Sequence, residues 1–232
     1  MKPGPKPKGK VAIKWSIRFA CAIGLLVADG WLSRDGGHMS LTSKDKIQVE
    51  TFKRCLGLKN KTSTKHSSNW NLAYHTQFGD VLFYKFLNEI GVLPAKSNTI
   101  ASVIVPNEYF LDFLRGYFDG DGCSYSYYDP TWKKSYRFYI SFTSGSQKYL
   151  DWLRDKLLTL LHVRGYLSYN KNNSYVQLKY SKREALVLSK QMYYSKNIPF
   201  LRRKYLKIKR TLSIIESSRS GEIGRRAAFR AQ

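Results

Sequence analysis

Two nine-residue stretches of the chain each end in an aspartate followed by a glycine: AIGLLVADG at 22–30 and LRGYFDGDG at 114–122. Each apolar run predicts a helix that ends near Asp29 or Asp121. A helix C-terminus carries partial negative charge, so a carboxylate there costs about 0.3–1 kcal/mol. The glycines have an ordinary explanation, because Gly is the usual residue just past a helix end. The aspartates have no such explanation, which makes them the first candidates for chemistry.

A cation is the simplest way to accommodate two such carboxylates. If the two helices pack side by side around a two-fold axis, their C-terminal ends meet and Asp29 lies close to Asp121. Hard oxygen ligands suit Mg²⁺, which commonly binds one or two carboxylates together with the phosphates of a substrate. Metal ions polarise a phosphate, activate water and stabilise a leaving oxygen. The pair therefore favours Mg²⁺-dependent phosphodiester hydrolysis, with Mn²⁺ or Ca²⁺ expected to substitute in binding.

Small residues recur four positions apart in both motifs, at Gly24 and Ala28 and again at Gly116 and Gly120. Residues i and i+4 share one helix face, and small residues on a face let two helix backbones approach closely. Small residues are common in helices, but two motifs in the same register favour direct packing. We therefore predict that these four residues form the interface between the two motif helices.

The elements that position the motifs occur twice along the chain. Each motif is followed by a hairpin that ends in Thr-Ser, an amphipathic helix, polar strand-like runs and a second helix that leads into a proline and basic residues. This order predicts an α+β fold with two αββαββα repeats, at 11–105 and 106–215. A basic arm is expected at 1–10 and a disordered basic tail at 216–232. Because one chain contains both halves, we expect a monomer with pseudo-two-fold symmetry.

The charge of the chain points to a polyanionic partner. Lys and Arg number 40 against 16 Asp and Glu, a formal net charge of +24. Nucleic acid is the first candidate, and an anionic membrane surface is the second. The apolar run before Asp29 is too short to span a bilayer, and the same layout recurs deep in the chain, which argues against a secretion signal. The three cysteines form no CxxC pair or disulfide framework, so we expect an intracellular protein.

At these residues the sequence resembles the LAGLIDADG homing endonucleases. Both stretches match the nine-residue motif of that family at the Gly, the last Asp and the final Gly, and the repeated element order covers about 11–215. The resemblance implies that Asp29 and Asp121 bind the catalytic metal and that the antiparallel sheets form a saddle in the DNA major groove. A basic residue near the scissile phosphates is also implied, and on that basis we assign Lys96 and Lys204 as catalytic.

Two further positions follow from the resemblance. Ser43 and Ser144 stand at strand-to-helix corners, where the family often has a polar residue that orders water in the active site. Their simpler explanation is helix capping, because Ser is a favoured N-cap residue. The first motif departs from the family by having Val27 where an earlier Asp is frequent, whereas the second motif has Asp119 there.

Many side chains in the strand-like segments are able to contact DNA. Arg, Lys, Asn, Gln and Tyr reach base edges and phosphates in the major groove, although some of these residues could simply cover a solvated sheet. Successive strand residues alternate between faces, and the pattern does not say which face each strand presents. The candidates are Arg34, His38, Ser40, Lys65, Asn69, Asn71, Tyr74, Thr76, Tyr125, Tyr127, Lys133, Lys134, Arg137, Tyr139, Tyr166, Ser168, Asn170, Lys171, Gln177 and Lys179. Phosphate contacts are expected from Arg202, Arg203, Lys207, Lys209 and Arg210.

Three functions remain open at this point. The first is a sequence-specific endonuclease that cuts both strands of a long, near-palindromic site in double-stranded DNA. The second is an intron RNA maturase, and the third is a DNA-binding regulator that does not cleave. The presence of both aspartates favours the nuclease, because a protein that only binds has no need of acids at two helix ends.

We expect the DNA affinity of the chain to fall steeply between about 50 and 200 mM salt, because each phosphate that the protein neutralises releases a condensed counterion. Fluorescence anisotropy with a labelled duplex measures this dependence. An affinity that is nearly independent of salt would contradict the phosphate-binding interpretation of the charge.

Overall fold

The computed structural model describes residues 9–66, 72–169 and 174–230, with side chains described as far as residue 218. The first repeat consists of α1 (Ile17–Asp29), β1 (Gly30–Leu32), β2 (His38–Ser43), α2 (Lys46–Leu56), β3 (Ser63–His66), β4 (Leu72–Gly79) and α3 (Val81–Glu89). A single 3₁₀ turn, Asn107–Tyr109, leads into the second repeat. That repeat consists of α4 (Phe110–Asp121), β5 (Gly122–Tyr128), β6 (Tyr136–Ser144), α5 (Gln147–Leu161), β7 (Tyr166–Tyr169), β8 (Val176–Tyr180) and α6 (Lys182–Met192), and α7 (Arg202–Arg230) follows it.

Each repeat builds one antiparallel four-stranded sheet. The strand order is β1-β2-β4-β3 in the first and β5-β6-β8-β7 in the second, so the two sheets have the same topology. One face of each sheet packs on helices and supplies apolar residues to the core, among them Met39, Leu41, Phe138 and Phe142. The predicted α+β fold with two αββαββα repeats is confirmed.

The motif helices α1 and α4 pack against each other through their small residues. A Cβ on Gly24 would lie 2.6 Å from the backbone nitrogen of Tyr117, and one on Gly116 would lie 2.9 Å from the carbonyl carbon of Cys21. Such distances are below van der Waals contact, so only glycine permits this backbone approach. The structure thus places Gly24 and Gly116 where the i, i+4 spacing predicts them.

The other two predicted interface residues, Ala28 and Gly120, meet at the C-terminal ends of the two helices. A Cβ on Gly120 would overlap the Cβ of Ala28 and lie 3.0 Å from Oδ2 of Asp29. The absence of a side chain at residue 120 therefore lets the end of α4 come up beside the carboxylate of α1. This contact brings the two helix ends together.

Residues 1–8 of the predicted basic arm lie outside the described residues, whereas the backbone nitrogens of Lys10 and Val11 donate to Oδ2 of Asp80 at 2.6 and 2.9 Å. The helix α7 continues to Arg230, which differs from the disordered tail expected at 216–232. The tail has no proline, and its four Arg and three Ala favour helix, whereas its two Gly and three Ser do not. Residues 231–232 are not described.

No helix in the described part of the chain has both the length and the apolar character that a membrane span requires.

The variants Gly24→Ala and Gly116→Ala are expected to be destabilised by about 1–3 kcal/mol or more, because the added methyl group must push two backbones apart. The matched control is Gly37→Ala, since a Cβ there meets only Cγ2 of Val81 at 3.5 Å. Thermal denaturation compares the three. If the two helix variants melted at the temperature of the control, the backbone contact would not be what holds α1 against α4.

Candidate functional site

Asp29 and Asp121 are the last residues of α1 and α4, and the chain passes directly from each helix into a strand. Gly30 and Gly122 have extended backbone, with φ of −80° and −81°. A Cβ on Gly30 would lie 2.5 Å from a carbonyl oxygen of the preceding turn, and one on Gly122 would lie 2.6 Å from the equivalent oxygen. These glycines are therefore required by close approach to the helix end, and not by a left-handed cap conformation.

The two carboxylates act on each other electrostatically. Asp29 is half-buried and Asp121 is exposed. Burial and, next in size, the negative charge of Asp121 raise the pKa of Asp29 to about 6. Desolvation by the surrounding protein raises the pKa of Asp121, and the positive charges of Lys204 and Lys96 oppose that rise. The structure thus brings the two aspartates together at adjoining helix ends.

The two predicted lysines lie at the same helix ends. Nζ of Lys204 donates to three carbonyl oxygens at the end of α4, at 2.6, 2.9 and 2.7 Å, and Nζ of Lys96 donates to the carbonyl oxygen of Gly30. Both ammonium groups are buried, and burial lowers the pKa of each lysine to about 8 against the raising effect of nearby aspartates. Each lysine therefore supplies a positive charge to a helix end that has unpaired carbonyl groups.

Gln48 is a site residue that the sequence analysis did not identify. Its Nε2 donates to Oδ2 of Asp29 at 3.2 Å, and Oγ of Ser43 donates to its Oε1 at 2.8 Å. Ser43 therefore orients a glutamine, and the N-cap position of α2 is taken by Asp45. The sequence contains one signal that could have identified Gln48. It lies one turn before Phe52, where a polar residue stands on the otherwise apolar face of α2.

The surroundings of Asp121 differ from those of Asp29. A cavity of about 90 Å³ is lined by Asp121, Ser144, Tyr117, Tyr149 and Lys96, together with neighbouring residues. The oxygen Oγ of Ser144 accepts a hydrogen bond from the nitrogen of Ser146 at 3.1 Å, and Ser146 is the N-cap of α5. Neither Ser43 nor Ser144 is the N-cap residue of the helix that follows it, so helix capping was the wrong explanation of these two serines.

A buried polar cluster fixes the chain segment that carries Lys204. Oδ2 of Asp119 accepts a hydrogen bond from the nitrogen of Leu201 at 2.7 Å, and burial raises the pKa of Asp119 to about 7. The fully buried Arg115 forms a 2.7 Å ion pair with Asp112 and donates to the carbonyl oxygen of Pro199. These contacts anchor residues 199–201, and with them the start of α7, on the outer side of α4.

Most of the candidates on the second sheet share one face. The register pairs Tyr125 with Tyr139, Tyr127 with Arg137, and Lys179 with Tyr166, and paired residues project to the same side. The side chains alternate with core residues along each strand, which places them opposite the helices. The face contains Tyr125, Tyr127, Arg137, Tyr139, Tyr166, Ser168, Gln177 and Lys179.

The first sheet contradicts part of the prediction. Thr76 pairs with Leu41 on the side facing the core and is only 1% exposed, so it is not available to a nucleic acid. Tyr74 lies on that same side, because it is two residues along the strand from Thr76. Ser40 is on the outer face but is buried. A one-residue difference in position moves a strand side chain to the other face.

The outer face of the first sheet also contains residues that were not proposed. His38 and Lys65 lie on it as expected, together with Trp31, Thr42, His75 and Gln77. Arg34 lies in the turn after β1, and Lys133 and Lys134 lie in the exposed connection after β5. Four candidates lie outside the described residues: Asn69, Asn71, Asn170 and Lys171. The five basic residues proposed for phosphate contact are all exposed on α7.

A divalent cation fits the pair of aspartates only together with a substrate. Among the described residues, no three His, Cys, Asp or Glu side chains are close enough to hold a metal ion by themselves. Two carboxylates at adjoining helix ends leave most coordination positions for water and phosphate oxygens, which is typical of Mg²⁺ sites in phosphoryl chemistry. The two lysines donate to carbonyl oxygens and not to the aspartates, so no ammonium group occupies the carboxylate oxygens that a cation would need.

The three cysteines, Cys21, Cys55 and Cys123, are free thiols, which agrees with the absence of a disulfide framework in the sequence.

The variant Asp29→Asn is expected to stabilise the metal-free protein by about 1–2 kcal/mol above pH 7, after allowance for solvent around a half-buried group. The pKa of Asp29 is raised from 3.8 to about 6, so the folded protein holds a proton that the unfolded chain releases. The stability of the wild type therefore falls as pH rises through that interval, and the variant lacks this contribution. Denaturation of both proteins in EDTA between pH 4 and 8 measures this difference in the free energy of unfolding.

The control for this experiment is Asp155→Asn, because Asp155 lies on α5 with its side chain 72% exposed. Equal pH dependence of the Asp29 variant and the wild type would show that Asp29 is not desolvated beside Asp121.

Residues 108–192 match the family model described as LAGLIDADG-like domain, and no curated protein matches the chain in sequence. The LAGLIDADG homing endonuclease I-GzeII, solved in complex with its DNA target, superimposes with a TM-score of 0.59 at 13% identity over 90% of this chain and 92% of that chain. The endonuclease I-DmoI in complex with DNA and Ca gives a TM-score of 0.56 at 14% identity over 83% and 97%.

A third neighbour is not named as an endonuclease. Full-length DUF199/WhiA from Thermatoga maritima superimposes with a TM-score of 0.54 at 13% identity, over 94% of this chain and 69% of that chain. At these identities the structures establish a shared fold, and the family match covers the second motif with its sheet. The chain therefore shares the two-repeat fold of these structures, and its residues 108–192 are similar in sequence to the LAGLIDADG-like domain family.

Proposed function

We propose that the chain is a divalent-metal-dependent, sequence-specific DNA endonuclease that cuts both strands of a long, near-palindromic site. The observation that carries this proposal is the meeting of Asp29 and Asp121 at adjoining helix ends, where each carboxylate is desolvated and neither is paired directly with a cationic side chain in the described part of the chain. Such a pair is costly in a protein that only binds DNA. It is useful where a metal ion and a phosphate complete the site.

The surfaces around the aspartates support DNA as the substrate. Each sheet presents one outer face of polar, basic and aromatic residues, and the first strand of each sheet, β1 or β5, begins directly after one of the aspartates. The net charge of +24 favours a nucleic acid. Two structural neighbours were solved with DNA, which adds support by similarity of fold.

The residues of the site have distinct roles in this proposal. Asp29 and Asp121 hold the cation, which supplies polarisation of the phosphate and activation of water when it is bound. Gln48 fixes the orientation of the Asp29 carboxylate. Lys96 and Lys204 neutralise the carbonyl ends of the helices and provide positive charge close to the phosphates. Because one chain contains both halves, a monomer suffices for cutting both strands.

DNA binding without cleavage is the second candidate. It is favoured by the likeness to WhiA, a protein with this fold that is not named as an endonuclease. Both candidates predict binding to duplex DNA, and they differ in whether the aspartates are needed for a reaction. Intron RNA is a further possible partner, and an RNA competitor in the same binding assay tests it.

The double variant Asp29→Asn/Asp121→Asn is expected to bind DNA at least as well as the wild type and to lose cleavage entirely, because the cation loses both anionic ligands. A selection for cleaved sites from a randomised DNA library first identifies the target. Plasmid cleavage with Mg²⁺ then measures the reaction, and a gel shift measures binding.

The control Asp151→Asn/Asp155→Asn makes the same change in net charge on α5 and should cleave normally. Cleavage by the Asp29/Asp121 double variant at the wild-type rate would remove both residues from the active site. A wild-type protein that binds the selected DNA and never cuts it would favour the second candidate.

A further inference from the structure

A cleft beside the start of α1 and the end of α2 combines positive charge with a thiol. Its volume is about 370 Å³, and Arg18, Arg54, Lys196 and Cys55 are among the residues that line it. The three basic residues are exposed, and no acidic residue in the described part of the chain lines the cleft. Arg18 and Asp29 stand eleven residues apart on α1, or about 16 Å along a helix. The cleft is therefore separate from the aspartate site.

A second thiol contacts Cys55 from the interior. Cys21 lies on α1, three residues after Arg18, and is completely buried. Its hydrogen bond with Cys55 and, next in size, burial raise the pKa of Cys21 well above the ordinary value. The same hydrogen bond lowers the pKa of Cys55 against the effect of burial, and the positive charges of Arg18 and Arg54 add to that lowering. Cys21 is thus the donor of the pair, and Cys55 is the sulfur that ionises first.

These surroundings are those of a reactive cysteine. The thiolate is the nucleophilic form of cysteine, and neighbouring positive charge together with partial exposure favours it. Cys55 is half-buried and lines the cleft, so a small electrophile reaches its sulfur from solvent, whereas the protein shields Cys21. Cys123 is the exposed thiol of the chain. Exposure alone would make Cys123 react first, which makes it the internal comparison.

We infer that Cys55 is a site of oxidation by hydrogen peroxide and that Cys21 is its resolving partner. In the first step the sulfur of Cys55 attacks a peroxide oxygen. An S–O bond forms, the O–O bond breaks, the sulfur gives two electrons to the peroxide, and the hydroxide that leaves takes a proton from solvent. The product is a sulfenic acid on Cys55.

In the second step the sulfur of Cys21 attacks the sulfenic sulfur of Cys55. The S–S bond forms, the S–O bond breaks, and the leaving hydroxide takes the proton of Cys21, so the products are a disulfide and water. Cys55 is the last residue but one of α2, where a helix end adjusts easily, and this helps the sulfurs reach bonding distance. Neither step uses DNA or a metal ion, so this reactivity goes beyond the proposed endonuclease function.

Peptide mapping of the whole chain tests the disulfide. Reduced protein is treated with a small molar excess of hydrogen peroxide, alkylated with iodoacetamide and digested with trypsin in the absence of reductant. Trypsin releases Cys21 in residues 19–34, Cys55 in 55–59 and Cys123 in 116–133. We expect 19–34 to become linked to 55–59, while most of Cys123 is still alkylated when half of Cys55 has been oxidised.

Cysteine variants separate the roles of the two sulfurs. In Cys21→Ser the link is lost and dimedone, which captures sulfenic acids, labels Cys55. In Cys55→Ser the link is lost and Cys21 stays reduced. The matched control is Cys123→Ser, which should form the link at the wild-type rate.

Arginine variants test the cleft itself. Arg18→Gln/Arg54→Gln is expected to slow the oxidation of Cys55 by about threefold or more, because the thiolate loses two positive neighbours. The control is Arg164→Gln/Arg183→Gln, which makes the same change in net charge at exposed positions of the second repeat and should react at the wild-type rate.

Three results would overturn the inference: faster oxidation of Cys123 than of Cys55, oxidation of Cys55 without a link to Cys21, or equal rates in the two arginine variants. The wild-type digest and the arginine variants decide the matter even where Cys21→Ser, which places a hydroxyl in the core, fails to fold. None of these measurements depends on DNA cleavage, so an inactive nuclease would leave the result unchanged.

Discussion

The backbone contact between α1 and α4 is the interaction on which the rest of the structure depends. Gly24 and Gly116 allow the helices to touch without intervening side chains, and Gly120 lets the end of α4 reach the carboxylate of Asp29. Each sheet starts at the residue after a motif helix, so the same contact sets the relation between the two sheets. Helix packing, sheet placement and the meeting of the aspartates are consequences of one close approach.

That approach creates an electrostatic problem, because two negative helix ends and two carboxylates converge. The protein responds with two buried lysines that donate to the carbonyl oxygens at these ends. Their charges lower the pKa of the aspartates only in part, and burial still raises the pKa of Asp29 to about 6. The converging carboxylates therefore cost stability when nothing neutralises them, and the proposed function uses this arrangement to bind a cation and a phosphate.

The two repeats share a scaffold and differ in the chemistry built on it. In the first, Gln48 and Ser43 surround Asp29, and the outer sheet face carries His, Lys, Gln and Thr. In the second, Tyr149 and a cavity adjoin Asp121, and the outer face carries several tyrosines, of which Tyr125 and Tyr139 stack with ring centroids 5.0 Å apart. Duplicated structure does not require duplicated recognition, so under the proposed function the two halves are suited to different DNA half-sites.

The sequence by itself determined the repeat order, the motif helices, their small-residue interface and the location of both aspartates. These depend on spacing within a single helix or on the order of elements, and both are local properties. Only the tertiary structure decided that Thr76 faces the core, that Gln48 contacts Asp29, that Lys204 caps α4 and that Gly30 is extended. A strand residue's face depends on the register with its partner strands, and the contacts of Gln48 and Lys204 depend on elements far away in sequence, so no local pattern contains them.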